Sequence, residues 1–152
     1  MVRLYLGPGY QARVRDQELA VIDDAYAQAL GRALWAFATL EWNSAHSCEK
    51  IRPGYLNNLK KKTAGKIADD LIELVRTARP TVWMSHEAAC REFKDLVDLR
   101  NRIMHGRPGT APNGDQRLFD KGAPFAISNI DIAASQFTAC LRQITDMLHN
   151  RL

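Results

Sequence analysis

Apolar residues recur three and four positions apart along four long stretches of this chain, and that period commits it to helices. In the first stretch Leu19, Ile22, Tyr26, Ala29, Leu30, Ala33, Phe37 and Leu40 form one stripe. They predict an amphipathic helix over roughly 17–50, capped by Asp16 and ended by Pro53-Gly54. Its middle, Leu34 to Trp42, is apolar on more than one side, which suits a helix that faces both a core and a partner chain. Leu59, Ile67, Leu71, Leu74, Val75 and Ala78 predict a second helix over 55–79, closed by Pro80. Ala89, Phe93, Leu96, Val97, Ile103 and Met104 predict a third, capped by either Thr81 or Ser85. Ile130, Ala133, Phe137, Leu141, Ile144 and Leu148 predict a last helix to about 150, opened by Ser128 or Asn129. Joined by mostly short connections, these elements imply an all-α, up-and-down bundle of four to five helices.

The connections bound the rest. Residues 1–15 hold Gly7-Pro8-Gly9, which excludes a helix there and predicts an extended N-terminal arm. Residues 106–128 form a long loop rich in Gly, Pro, Asn and Asp. Within it Arg117-Leu118-Phe119 and Phe125-Ala126-Ile127 flank Gly122 and predict a small β hairpin. At 152 residues the chain is most simply one domain, long enough to bury a core without staples. A net charge of +4 favours a polyanionic partner only weakly. Cys48, Cys90 and Cys140 are widely spaced and fit neither a disulfide set nor a zinc pattern, so buried free thiols in a reducing cytoplasm are expected. The N-terminus has no signal-peptide pattern, and the stretch from Ala33 to Leu40 is too short to span a bilayer. No phosphate loop, H-E-x-x-H, G-x-S-x-G or glycine-rich dinucleotide turn occurs, so neither a metal nor a cofactor is expected.

One segment gathers chemistry: Asp98-Leu99-Arg100-Asn101-Arg102-Ile103-Met104-His105-Gly106, at the end of the third helical pattern. Arg100 falls on the apolar stripe, four residues after Leu96 and seven after Phe93, and a charge there needs a partner or a cavity. Arg100-Asn101-Arg102-Ile103-Met104-His105 resembles the R-N-x-x-x-H signature of the HEPN superfamily, whose domains are bundles of four or five helices. The resemblance covers most of the chain as architecture and about nine residues as sequence. It implies a metal-independent endoribonuclease that builds its site from two such motifs across a homodimer and leaves a 2′,3′-cyclic phosphate and a 5′-hydroxyl. His105 can exchange a proton near neutral pH. Arg100 stays charged and can stabilise a phosphorane. Asn101, four residues before His105, can orient it. Arg100 and His105 are five positions apart, about 140° around a helix, so they do not share a face. Their convergence needs unwinding near Gly106 or a second copy.

Arg102, Arg107 and the run Lys60-Lys61-Lys62 are the candidate RNA contacts. Some HEPN toxins are silenced by modification of a tyrosine two residues after the histidine; Arg107 stands there, so an antitoxin acting by that route is not expected, and any other antitoxin or regulatory partner is unidentified. The alternative is a catalytically silent HEPN-like module for binding or assembly. In that reading Arg100 pairs with an acid on a neighbouring helix, Glu41 above all, and His105 only caps the helix end. His46 and His86 carry no motif and are expected on the surface. Trp35, Trp42 and Trp83 are expected as core or interface anchors rather than base-stacking platforms.

Overall fold

The computed structural model describes residues 22–78 and 81–149. The expected arm at 1–15, the Asp16 cap, Leu19 and Pro80 lie outside them. Helix α1 (Asp24–Ile51) starts later than the apolar stripe suggests. Asp23 is extended at ψ 154° and takes the cap, its carboxylate accepting from the Tyr26 N–H at 2.8 Å. Beyond Arg52, Gly54 turns the chain at φ 94°, and Glu49 accepts from the N–H groups of Gly54 and Leu56 at 3.0 and 2.9 Å. The chain thus folds back into a 3-10 helix, Tyr55–Lys61, before α2 (Ala64–Thr77) begins. The single helix expected over 55–79 is therefore two. Thr63 divides it, capping α2 by accepting from the Lys66 N–H at 3.2 Å.

A second 3-10 helix, Thr81–His86, precedes α3 (Glu87–Met104). The cap position of α3 is His86, without a side-chain cap bond, while the expected candidates Thr81 and Ser85 lie within that 3-10 helix. Three strands follow, β1 (Arg107–Thr110), β2 (Gln116–Asp120) and β3 (Ala123–Pro124), all antiparallel in the order β1-β2-β3. The expected hairpin around Gly122 is present, with Lys121 and Gly122 both at positive φ (51° and 82°), as a two-residue hairpin turn demands. Its second strand lies earlier than the expected 125–127: Phe119 faces Pro124, and Ile127 already begins the next helix. Strand β1, unforeseen, pairs Arg107 with Phe119. Helix α4 (Ile127–His149) opens with the Asn129 side chain accepting from the Ala126 N–H at 2.9 Å.

The helices form a bundle around one core cluster that includes Phe37, Leu40, Leu71, Phe93, Phe137 and Ile144. Their directions follow from cross-helix pairs. Arg32–Asp131, Asn43–Thr145 and Lys50–Leu148 run in the same order along α1 and α4, so these two are parallel neighbours. The bond from Cys140 to the Ala89 carbonyl and the ion pairs Lys94–Asp69 and Arg76–Glu87 set α3 against α4 and α2. The β hairpin carries the chain from the end of α3 into α4 at the end of the bundle where α1 begins. Cys48, Cys90 and Cys140 are buried and free, and burial pushes each thiol up to about 12.

At the opposite end of α1, Asp70 of α2 accepts from the Tyr55 hydroxyl and Lys62 Nζ, each at 2.8 Å, and from Lys66 Nζ at 2.7 Å. Burial alone would raise the Asp70 carboxyl, but the hydrogen bonds from Lys62, Lys66 and Tyr55 outweigh it and hold the group at about 2. The unfolded value is about 3.9. The folded state therefore binds the proton less readily, and the stabilisation is present above pH 4 and lost as the pH falls toward 2. Asp70→Asn is expected to cost about 1–2 kcal/mol at pH 7 in urea unfolding, with the gap to the native chain closing between about pH 4 and 2. An equal deficit at both ends of that range would show that the cluster contributes nothing through charge.

Candidate functional site

Helix α3 stays regular through Met104. His105 is its C-cap at φ −98° and ψ 9°, its N–H donating to the Asn101 carbonyl at 2.9 Å. The turn stops there because the hairpin crowds it. A Cβ on residue 106 would lie 3.0 Å from Leu118 Cβ and 3.1 Å from the Ile103 carbonyl oxygen, so a glycine is needed. The hairpin is tied to α1 by Tyr26, fully buried, whose hydroxyl accepts from the Leu118 N–H at 3.1 Å and donates to the Phe125 carbonyl at 3.2 Å. Arg117 stacks on the Tyr26 ring, 4.4 Å from its centroid, and bonds Asp23 at 2.7 Å and Asp115 at 3.2 Å. These contacts fix where the end of α3 can sit.

Arg100 faces inward. Its guanidinium lies 4.6 Å from the Phe37 ring centroid, and its Nε is buried without a hydrogen-bond partner. Among the described residues it makes no ion pair. The expected pairing with Glu41 does not form: Glu41 lines a separate hollow with Ala38, Trp42, Leu59 and Lys62. Arg100 instead forms part of the wall of an open cleft of about 300 Å³, with Leu30, Gly31 and Leu34 from α1, Met104 from α3 and Leu118 from β2.

His105 is exposed and does not line that cleft. No unwinding near Gly106 turns it toward Arg100, so within one chain the two groups stay on different sides of α3, as their spacing requires. The Asn101 side chain makes no hydrogen bond to the His105 ring among the described residues, so the orienting role expected for it is not formed. Arg102 shares the His105 side, three residues back, but bonds Asp120 through Nε and Nη2, both at 2.8 Å. Asp120 is a partner that sequence spacing gave no sign of, 18 residues away and brought in by the hairpin.

Of the expected RNA contacts, Arg107, Lys60 and Lys61 are exposed, whereas Lys62 is half-buried against Asp70 and lies 4.7 Å from the Tyr55 ring centroid. His46 is half-buried rather than fully exposed. It packs edge-on against Trp42 at 4.6 Å, with its Nε2 buried and unpartnered. His86 is half-buried, 6.4 Å from the Trp83 ring. Trp83 is a core residue, while Trp35 is 77% and Trp42 55% exposed. No family model, no curated protein and no solved structure matches this chain. Among the described residues no helix is long and apolar enough to cross a membrane.

Because Arg100 holds no carboxylate in place, Arg100→Met should leave the stacking on Phe37 largely intact and orphan no acid. Its stability in thermal melts is expected to stay within about 1 kcal/mol of the native chain. A loss of about 3–5 kcal/mol, the cost of breaking a buried ion pair, would reveal an acid bonded to Arg100.

Proposed function

We propose that this chain is a metal-independent endoribonuclease of the HEPN type, acting at a site shared between two copies. The observation that carries the reading is the state of Arg100: a permanently charged guanidinium, free of any ion pair among the described residues, at an open cleft on the helix that ends in His105. A group of that kind is available to a phosphate. His105 supplies the proton chemistry: one imidazole takes the 2′-hydroxyl proton as that oxygen attacks phosphorus. The P–O5′ bond then breaks, and the departing 5′-oxygen takes a proton from an imidazolium, leaving the cyclic phosphate. Because one chain keeps Arg100 and His105 on different sides of α3, the shared site needs a second copy. Exposed Arg107 supplies a phosphate contact at this end of the bundle; Arg102, bonded to Asp120, contributes less, and Lys60, Lys61 and Lys62 lie toward the other end of α1, where they could only contact a longer RNA.

The face through which two copies meet is the outer side of α1. Leu34, Trp35 and Trp42 are 51%, 77% and 55% exposed, with Gly31 and Ala38 between them, on the side away from the buried Ala33, Phe37 and Leu40. Phe37, on the apolar stripe of the same helix, is 2% exposed and belongs to the core, as that stripe predicts. Met104, 51% exposed beside Leu34 in the Arg100 cleft, extends the face toward the end of α3. A two-fold contact of this kind is self-complementary. Sedimentation at micromolar concentration is expected to give about 34 kDa, twice the 17.1 kDa chain. A strictly monomeric species removes the shared site.

A second reading, a silent module for assembly, is favoured by one observation: the exposed His105 ring has no partner that orients it. Cleavage kinetics separate the two. The ribonuclease reading expects cleavage of single-stranded RNA that survives chelator and falls by about a hundredfold or more in His105→Ala. The melt of that variant should move by no more than about 1 kcal/mol. A chain that binds RNA with an unchanged rate and melt in His105→Ala belongs to the second reading. So does a chain that never cleaves.

A further inference from the structure

The cleft beside Arg100 has a composition that a phosphate site alone does not explain. Leu30, Leu34, Met104 and Leu118 make its walls apolar, and Gly31 leaves an opening in the α1 side. A Cβ built on Gly31 would have no atom within 4 Å. Against this surface stands one charge, the Arg100 guanidinium. Phe37 covers part of it, and its buried Nε lacks an acceptor. A buried donor without an acceptor is costly, and a charged one more so. An anion would match the guanidinium, and a hydrocarbon body the apolar walls beside it.

We infer that this cleft binds an amphipathic organic monoanion, a carboxylate on Arg100 with a short hydrocarbon body against Leu30, Leu34, Met104 and Leu118. At about 300 Å³ the cleft is at the small end of ligand sites. It holds about ten non-hydrogen atoms at a liquid-like ~30 Å³ each. Octanoate has that size. A bare inorganic anion would leave the apolar walls wet, and a neutral hydrocarbon would leave the guanidinium unpaired. Binding stands apart from the proposed cleavage. Only its consequence, competition with an RNA phosphate for Arg100, rests on that reading.

The test is calorimetric titration of the full chain, with no RNA present, using octanoate and its neutral isostere octanamide. Octanoate is expected to bind one per chain, and octanamide about tenfold more weakly, since the charge-assisted bonds to Arg100 are lost. Arg100→Met should reduce octanoate to the level of octanamide. Gly31→Leu fills the opening from an exposed helical position and should abolish binding of both. Leu34→Glu, also at an exposed position, sets a rival carboxylate at the mouth and should repel octanoate alone. Equal affinity for the two probes in the native chain overturns the inference. So does octanoate binding that survives Gly31→Leu, or no octanoate binding at millimolar concentration. A chain that binds octanoate as described but cleaves no RNA retains this site and loses the ribonuclease reading.

Discussion

Phe37 is the residue on which three helices converge. Its ring meets Phe137 of α4 edge-on at 5.1 Å, Phe93 of α3 at 6.2 Å and the Arg100 guanidinium at 4.6 Å. The first two contacts are core packing, with the favoured tilted geometries of aromatic pairs. The third is a cation held over the same ring. The candidate site is thus not attached to the core but continuous with it. Any change that moves Phe37 moves Arg100, and the position of the guanidinium is set by the same packing that sets the distance between α1, α3 and α4.

The β hairpin joins the end of α3 to the start of α4 at one end of the bundle, and it serves the site as it does so. Leu118 leans on Gly106 and closes one side of the Arg100 cleft, Asp120 takes Arg102, and Tyr26 bonds the hairpin to the first turns of α1. Tyr26 is fully buried, and both of its hydroxyl bonds go to main-chain groups near the strand. Such buried, satisfied polar links specify one arrangement of elements rather than adding much net stability.

The apolar period made four helices legible because burial on one face is a repeated signal, renewed every turn. Interruptions were less legible because they depend on single residues. Thr63 divides the second pattern through one side-chain bond, and Asp23 halts α1 through a bond that its pairing with Arg117 reinforces. Strand β1 escaped notice because Arg107-Pro108-Gly109-Thr110 has neither alternation nor β-branched density; it is a strand because β2 pairs with it. At the site, the spacing of Arg100 and His105 foretold that one helix would hold them apart. It gave no view of Asp120 or Glu41, whose positions come from long-range packing. Arg102 and Lys62 looked like available cations for the same reason: their acids are 18 and 8 residues away.

Electrostatics at the end of α3 argue for which cation an incoming anion meets. The last carbonyls of a helix carry partial negative charge, so an anion is disfavoured on the helix axis there and a cation is favoured. Arg102 and Arg107 lie at that end, which suits the dipole. Asp120 pairs with Arg102. Arg100 differs on both counts. It sits a turn back from the end, beside the axis rather than on it, with no acid among the described residues to share its charge and with apolar walls around it. Lower local polarity strengthens whatever it binds. Among the arginines at this bundle end, Arg102 is bonded to Asp120 and Arg107 is exposed to water, whereas Arg100 combines a buried Nε without a partner among the described residues with apolar walls beside it.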